Sequence, residues 1–105
     1  MITMIAHMQV RPENAAAYEA LLDEVAAATL DHEPGVRYYA WSKSASEADT
    51  YVVIEVYENA EVHAAHMASP WVRESIPKSI ALVEGKFDIR QYVSGGSEPV
   101  RLTLG

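Results

Sequence analysis

Residues 54–72, IEVYENAEVHAAHMASPWV, contain the side chains of this sequence that are best suited to chemistry. An apolar strand pattern includes Glu55, and the helical pattern after it includes His63 and His66, three residues apart. A Ser-Pro dipeptide and Trp71 follow. A carboxylate and an imidazole can act together as acid and base near neutral pH. Two histidines on one helix can instead bind a metal ion.

Glu55 lies between Ile54 and Val56, in a strand that a covered sheet would bury on both faces. A buried carboxylate needs a partner or a raised pKa. One interpretation is therefore structural: Glu55 forms an ion pair with an arginine such as Arg90 or Arg37, or lies at a wet strand end. The other interpretation is a place in the wall of a ligand cavity, and the two are compatible.

His66 follows Val62 by four residues, so both side chains share the helix face that is expected to point into the core. His63 is rotated by about 100° from Val62 and is expected at the margin or in solvent. An inward histidine is more often a satisfied core residue than a catalyst, but a cleft shared with Glu55 and His7 would favour catalysis. A third metal ligand is not signalled and the HExxH pattern is absent, so no metal is expected.

Composition excludes several classes of function. The 105 residues include 8 basic and 15 acidic side chains, for a net charge of −7, with no Lys/Arg cluster. Neither nucleic acid nor an anionic membrane is therefore an expected partner. Cysteine is absent, which excludes disulfides and thiolate chemistry. The amino terminus lacks the basic region of a signal peptide, and no apolar run approaches the roughly 18–20 residues that span a bilayer. We expect a soluble, cytoplasmic protein.

The hydrophobic periodicity predicts four strands, at residues 1–10, 36–44, 51–58 and 86–93. Helices are predicted at 12–32, at 60–68 after an Asn59 cap, and from Ser69-Pro70 to about residue 83, where Pro77 predicts a kink or break and Gly85 the end. The order βαββαβ is the ferredoxin-like α+β arrangement, with helices on one face of an antiparallel sheet. Residues 1–94 form one domain, and 95–105 a tail whose VRLTL segment is a possible short strand on a partner subunit.

The two faces of the sheet predict a homodimer. The first strand has one wholly apolar face, whereas its other face mixes Ile5 with His7. The helices can cover only one face, and the second would leave roughly several hundred Å² of apolar surface in water. We therefore expect it to pack on the same face of a second copy. If the wholly apolar face meets that partner, His7 faces the helices on the same side as His66.

Aromatic side chains are concentrated on the second predicted strand. Tyr39 and Trp41 share one face and Tyr38 lies on the other. The first pair could line a flat pocket, although aromatic residues are common in strands for packing alone. Trp71, in the first turn of the last helix, either overhangs the same space or is a large aromatic of the core or interface.

The stretch IEVYENAEVHAAHMASPWV resembles the signature of the antibiotic biosynthesis monooxygenase superfamily: a strand ending E-x-[WY], a short capped helix, and H-x-x-[ST]-P followed by an aromatic residue or histidine. With the start MITMIAHMQVRPENAAAYEALL, the resemblance covers about residues 1–93. It implies a dimeric α+β barrel of two ferredoxin-like subunits packed sheet to sheet. Members include cofactor-independent monooxygenases of polycyclic phenols and quinols, haem-degrading enzymes, enzymes of small phosphorylated signalling molecules, and proteins without an assigned activity.

By position, the resemblance puts Glu55 and His66 on the family's recurring glutamate and histidine. Trp71 stands after Ser-Pro, where many members have histidine, and His7 stands where haem-degrading members have an asparagine. A further histidine of those members would fall near Ile76 in this sequence, so the resemblance disfavours haem breakdown. No cofactor is expected.

A mechanism follows from the resemblance as a hypothesis. An electron-rich phenol or hydroquinone binds between helices and sheet, against Tyr39, Trp41 and Trp71. His66 or His7 removes the phenolic proton, because the phenolate reduces O₂ by one electron more readily than the phenol does. Glu55 holds the other nitrogen of that histidine or raises its basicity, and the product is a quinone.

Two other functions stay open. One is a non-catalytic dimer whose cleft holds a small molecule such as an aromatic metabolite. The other is an isomerase that uses Glu55 and His66 as an acid/base pair on a small carbonyl compound. Oxygen consumption would distinguish the monooxygenase from both, and deuterium exchange at a substrate carbon would identify the isomerase.

Overall fold

The structure is a computed structural model, and it describes residues 1–96. Strands β1 (Ile2–Gln9), β2 (Val36–Lys43), β3 (Thr50–Tyr57) and β4 (Glu84–Val93) alternate with helices α1 (Pro12–His32), α2 (Ala60–Ala68) and α3 (Pro70–Leu82). The strands form one antiparallel sheet in the order β2-β3-β1-β4. The predicted ferredoxin-like α+β fold is confirmed. The strand predicted in the tail lies outside the described residues.

The helix boundaries agree with the predicted caps, with one difference in detail. Asn59 Oδ1 accepts the Val62 N–H at 2.9 Å and so begins α2. Ser69 precedes Pro70 at the start of α3, but its hydroxyl donates back to the His66 carbonyl at 2.6 Å. Helix α3 continues through Pro77, so the break that a proline can cause does not occur.

Strand β4 begins two residues earlier than predicted. Gly85 does not end a helix; it lies inside the strand with a φ of +76°. There the pairing with β1 changes register between His7↔Asp88 and Gln9↔Glu84. A positive φ is accessible to glycine without steric cost, and such residues are typical of bulges in antiparallel strands.

The core lies between the sheet and the helices. The β1 residues that belong to it show which face of the strand is turned toward the helices. Ala6 and Met8 are buried in one cluster with Tyr18, Leu22 and other side chains. The wholly apolar face of β1 therefore meets the helices. His7 was expected to face the helices if the wholly apolar face met a partner. That condition does not hold, so the alternation of the strand places the exposed His7 side chain on the opposite face.

We call the face of the sheet away from the helices the outer face. Its apolar side chains are only partly buried. Ile5 pairs with Ile54 of β3 on one side and with Arg90 of β4 on the other. His7 is in the next row, between Val52 and Asp88. Apolar side chains thus occupy the middle of this face, beside charged groups on β4.

No helix within residues 1–96 combines the length and the apolar composition that crossing a bilayer requires. The cytoplasmic location stays a prediction.

Candidate functional site

A cavity of about 360 Å³ lies between the sheet and helices α2 and α3. Most of its wall is apolar, with side chains that include Met8, Leu22, Val53, Val72, Phe87 and Ile89. Its polar lining consists of Tyr18, Tyr39, Glu55, His66, Ser75 and Ser79. A mostly apolar cavity with a few convergent polar groups is the usual form of a small-molecule site.

A larger concavity, about 710 Å³, lies on the outer face of the sheet. It is an open groove lined by His7, Asp88, Arg90 and other polar side chains. The ionisable residues brought together in the protein interior are elsewhere, at the end of the smaller cavity. That smaller cavity is the candidate site, because within residues 1–96 it is the place where an imidazole and carboxyl groups are removed from water side by side.

His66 is buried as predicted, with 1% of its surface exposed. It lies in the last turn of α2, and the Ser69 hydroxyl that bonds its carbonyl closes that turn. The Tyr39 and Tyr57 rings pack around the imidazole, with centroids 5.3 and 5.2 Å from its own. Since both neighbours are aromatic, the ring orientation is set by packing as well as by hydrogen bonds.

Glu33 is the partner of His66 that the sequence did not indicate. Its Oε2 lies 2.9 Å from His66 Nδ1, and the same oxygen accepts the indole N–H of Trp71 at 2.8 Å. An ionised carboxylate only accepts hydrogen bonds. With Glu33 ionised, Nδ1 carries the imidazole proton, and the lone pair of a neutral His66 is on Nε2, the nitrogen nearer to Glu55.

The loop after α1 presents Glu33 to α2. The Glu33 N–H donates to the Thr29 carbonyl at the helix end, and the Gly35 carbonyl accepts the Glu58 N–H at 3.0 Å. Gly35 packs so tightly on α2 that a Cβ there would lie 2.6 Å from Val62 Cγ2. The Glu-Pro-Gly sequence predicted only the end of a helix. That this loop places the Glu33 carboxylate beside His66 depends on the contact between Gly35 and Val62.

Glu55 lies in the cavity wall, as one of the two predicted interpretations requires. Its Oε1 accepts the Tyr57 hydroxyl and lies 3.7 Å from His66 Nε2. Burial raises the pKa of Glu55, against the opposing effects of the Tyr57 hydrogen bond and of His66. The suggested arginine partners are wrong, because Arg37 pairs with Glu58 and Arg90 with Asp88, each at 3.5 Å.

The phenols beside Glu55 remain protonated. Burial, followed by the charge of Glu55, raises the pKa of both Tyr39 and Tyr57. Tyr39 lines the cavity and is the register neighbour of Glu55 across β2 and β3. Tyr57 is fully buried behind the carboxyl group. A hydrogen-bond donor thus supports Glu55 from the protein side, while its other side faces the cavity.

The two tryptophans occupy other positions than predicted. Trp71 donates to Glu33 and stacks on His32, with ring centroids 5.1 Å apart. Trp41 donates its indole N–H to Asp23 of α1 at 2.8 Å. Neither is among the described residues that line the cavity. Trp71 therefore supports the acid that holds His66, and Trp41 joins β2 to α1.

His7 and His63 do not line the cavity. His7 lies on the outer face, across the sheet from His66. His63 is partly buried, and its ring packs on Tyr57 at a centroid distance of 4.9 Å. It thus lies at the margin of the core, one of the two positions expected for it. In residues 1–96 no three His, Cys, Asp or Glu side chains are arranged as a metal site requires.

Comparisons with known proteins agree with this architecture. A candidate antibiotic biosynthesis monooxygenase from Deinococcus radiodurans is 26% identical, with a TM-score of 0.84 over 98% of this chain and 99% of that one. A Mycobacterium tuberculosis protein is 25% identical, with a TM-score of 0.81 over 89% and 93%. For a Caulobacter crescentus candidate of the same description, 24% identical over 87% and 86%, the TM-score is 0.83, a likeness of fold. No curated protein matches the sequence.

The sequence profile described as antibiotic biosynthesis monooxygenase matches residues 1–78, which include β1 to β3, α2 and the Ser-Pro start of α3. The match thus contains Glu33, Glu55 and His66. On this evidence the chain belongs to the antibiotic biosynthesis monooxygenase family.

Proposed function

We propose that this protein is a cofactor-independent monooxygenase that oxidises a small phenol or hydroquinone with O₂ to a quinone. The observation that supports this most directly is the arrangement of His66: a buried imidazole at the end of an apolar cavity, with Glu33 2.9 Å from Nδ1. A carboxylate in that place orients an imidazole, keeps its proton on Nδ1 and stabilises the imidazolium that forms when Nε2 accepts a proton.

The first step is proton transfer. A phenolic hydroxyl bound at the cavity end donates its proton to His66 Nε2, and an imidazole suits that task near neutral pH. The phenolate then gives one electron to O₂, and the radical pair combines at a ring carbon. His66 is the base in this scheme, and Glu33 takes the orienting role that sequence reasoning gave to Glu55. His7 takes no part, since it is on the other face of the sheet.

The shape and polarity of the cavity favour an aromatic substrate. Its volume of about 360 Å³ is near the lower end of the range for small-molecule sites. Apolar side chains surround the polar end, so a ring can replace water beside His66 and Glu55. Tyr39 is the one predicted binding residue that is in contact with this space. A bound ring would displace water from this end of the cavity and so protect the reactive peroxide and radical species.

The stoichiometry is that of a monooxygenation. For a hydroquinone it is QH₂ + O₂ → hydroxyquinone + H₂O, with one oxygen atom in the product and the other in water. The substrate supplies all four electrons, and the protein supplies proton transfer and a dry site. No resident cofactor enters this scheme.

The proposed active form is a homodimer joined through the outer face of the sheet. Ile5, Ile54 and neighbouring apolar side chains are only half-buried by their own chain. Covering this surface with the same face of a second copy would remove it from water.

Isomerisation of a small carbonyl compound is the second candidate. The 3.7 Å between Glu55 Oε1 and His66 Nε2 favours it, because an acid and a base at one end of a cavity can move a proton between neighbouring carbons. This reaction consumes no O₂ and exchanges a substrate C–H with solvent deuterium.

The test is oxygen uptake by the purified, metal-stripped protein with a panel of anthrones and hydroquinones under ¹⁸O₂. We expect uptake above the uncatalysed rate and one ¹⁸O atom in each quinone formed. Absence of uptake across the panel would contradict the monooxygenase, and deuterium incorporation without uptake would establish the isomerase.

A further inference from the structure

Glu33, and not Glu55, lies at His66 Nδ1, which leaves Glu55 available for another role. We propose that Glu55 is the acid that protonates the peroxide formed when O₂ adds to the bound substrate. This inference rests on the proposed monooxygenation and adds a second catalytic residue to it. Two geometric observations support it, the position of Glu55 and its hydrogen bond with Tyr57, and the upward direction of its pKa agrees with them.

The first observation is the position of Glu55 beside His66. Glu55 and His66 line the same cavity, with Oε1 and Nε2 3.7 Å apart. That distance is too long for a good hydrogen bond between them. Both groups can therefore turn to the substrate, and one bound molecule can contact the base with its hydroxyl and the acid with a neighbouring oxygen.

The hydrogen bond with Tyr57 selects the oxygen that carries the proton. Tyr57 is fully buried and donates its hydroxyl to Oε1. No hydrogen bond with Oε2 occurs within the described residues 1–96. A protonated carboxyl group accepts through one oxygen and donates through the other. Oε2–H is then free to donate into the cavity.

The surroundings make Glu55 easier to protonate than an exposed carboxyl group. Burial raises the pKa of Glu55, and the charge of Glu33 raises it further. Tyr57, His66 and His63 act in the opposite direction, and the net effect is upward. Two carboxyl groups flank one imidazole, and a second negative charge beside the first is disfavoured. Glu33 Oε2 has two hydrogen-bond partners, His66 Nδ1 and the Trp71 indole N–H, whereas Glu55 Oε1 has one, the Tyr57 hydroxyl.

Atoms and electrons balance with His66 neutral and Glu55 protonated at the start. His66 removes the phenolic proton. The phenolate and O₂ form a C–O bond, which oxidises the ring by two electrons and reduces O₂ to a peroxide anion, and Glu55 protonates that anion. The Glu55 carboxylate next removes the ring C–H proton, the C–H electron pair forms C=O, and the O–O bond breaks. The departing hydroxide takes the proton of His66 as water, and both residues return to their starting states.

The loss of this acid has a specific consequence. An unprotonated peroxide anion cannot release water, so the adduct reverts to semiquinone and superoxide. The semiquinone and superoxide then react to give the unhydroxylated quinone and hydrogen peroxide, QH₂ + O₂ → Q + H₂O₂. The protein would still consume O₂, because His66 still forms the phenolate, but the oxygen would leave as H₂O₂.

The experiment compares wild type with Glu55→Gln on 1,4-naphthohydroquinone under ¹⁸O₂, with the uncatalysed rate subtracted. Wild type should form 2-hydroxy-1,4-naphthoquinone containing one ¹⁸O, with no H₂O₂ below the pH at which Glu55 loses its proton. In Glu55→Gln, formation of the hydroxyquinone should fall by about a hundredfold or more. O₂ uptake should persist and be recovered as 1,4-naphthoquinone and H₂O₂. Glu74→Gln makes the same substitution at an exposed position of α3 and, as the control, should behave as wild type.

Tyr57→Phe provides a second test in a variant that keeps the carboxyl group. The Tyr57 hydrogen bond lowers the pKa of Glu55, so its removal should move the onset of H₂O₂ release to higher pH than in wild type. Full coupling of O₂ uptake to hydroxyquinone in Glu55→Gln would overturn the assignment of Glu55 while leaving the monooxygenase intact. Absence of O₂ uptake in wild type would overturn both proposals.

Discussion

His66 Nδ1 lies 2.9 Å from an oxygen of Glu33, a residue 33 positions earlier in the chain that ends a different helix. The carboxyl group of Glu33 is also nearly buried, with 11% of its side chain exposed. A charged group removed from water in this way needs donors, and His66 and Trp71 supply them. The pair is therefore an orienting unit for the imidazole and a local source of stability.

Glu33→Gln should lower kcat/KM by at least about a hundredfold with little change in fold. The amide can donate to Nδ1, which would put the imidazole proton on Nε2 and remove the lone pair that accepts the phenolic proton. Steady-state O₂ uptake is the measurement, and far-ultraviolet circular dichroism checks the fold. Glu61→Gln, at an exposed site on α2, is the matched control. Wild-type activity in Glu33→Gln would remove Glu33 from the mechanism.

His66→Asn and His7→Asn should differ completely in activity. The first removes the proposed base and should reduce turnover by about 10²–10⁴-fold. The second changes an exposed side chain on the outer face and should leave turnover per dimer unchanged. Both are assayed at a protein concentration where size-exclusion chromatography shows the same oligomer as wild type. Loss of turnover in an intact His7→Asn dimer would show that the outer face takes part in catalysis.

Gly35→Ala should weaken both the fold and the site. The new methyl group would lie 2.6 Å from Val62 Cγ2, so the loop or α2 must move, and overpacking of this kind costs about 1–3 kcal/mol. Movement of the loop would also draw Glu33 away from His66. Gly95→Ala is the control, since a Cβ there meets nothing within 4 Å. The measurements are urea unfolding and O₂ uptake; equal values for the two variants would show that this close contact has no consequence.

Much of the fold could be predicted from the sequence because its strands alternate and its helices have clear caps. The inward direction of His66 followed from its four-residue spacing from Val62. The side on which His7 lies did not follow, because both faces of β1 carry apolar residues. The face of the sheet that the helices cover is determined by the packing of the whole layer. If the wrong face of a strand is assigned to the helices, every side chain of that strand is placed on the wrong side of the sheet.

Glu33 could not be found by pattern because its role depends on a tertiary contact. Glu-Pro-Gly after a helix predicts a stop, and it says nothing about the element on which the loop then packs. The approach of Gly35 to Val62 and the bond from the Glu58 N–H decide that position. The same limit applies to Trp41 and Trp71, whose indole donors reach carboxylates distant in sequence.

Glu55→Gln should change how stability depends on pH. Burial raises the folded-state pKa of Glu55, so the folded protein binds the proton more tightly than the unfolded chain. Wild type therefore loses stability from this group as pH rises from the unfolded value of about 4.5 through the folded pKa. The glutamine variant lacks that loss, and its free energy of unfolding relative to wild type should increase between pH 4.5 and pH 8. Urea unfolding at fixed protein concentration measures it; a relative free energy that decreases over this range would contradict the direction of the shift.

Trp71→Phe and Trp41→Phe are a matched pair, because each removes one indole N–H that donates to a carboxylate at 2.8 Å. In Trp71→Phe, Glu33 loses a donor and His66 a fixed partner, so kcat/KM should fall by about tenfold, the worth of one hydrogen bond to a charged group. Trp41→Phe frees Asp23, an exposed residue of α1, and should lower stability alone. O₂ uptake and thermal unfolding, measured on both variants, separate these effects. If the two lose activity equally, Trp71 acts by packing and the Glu33 hydrogen bond is not its function.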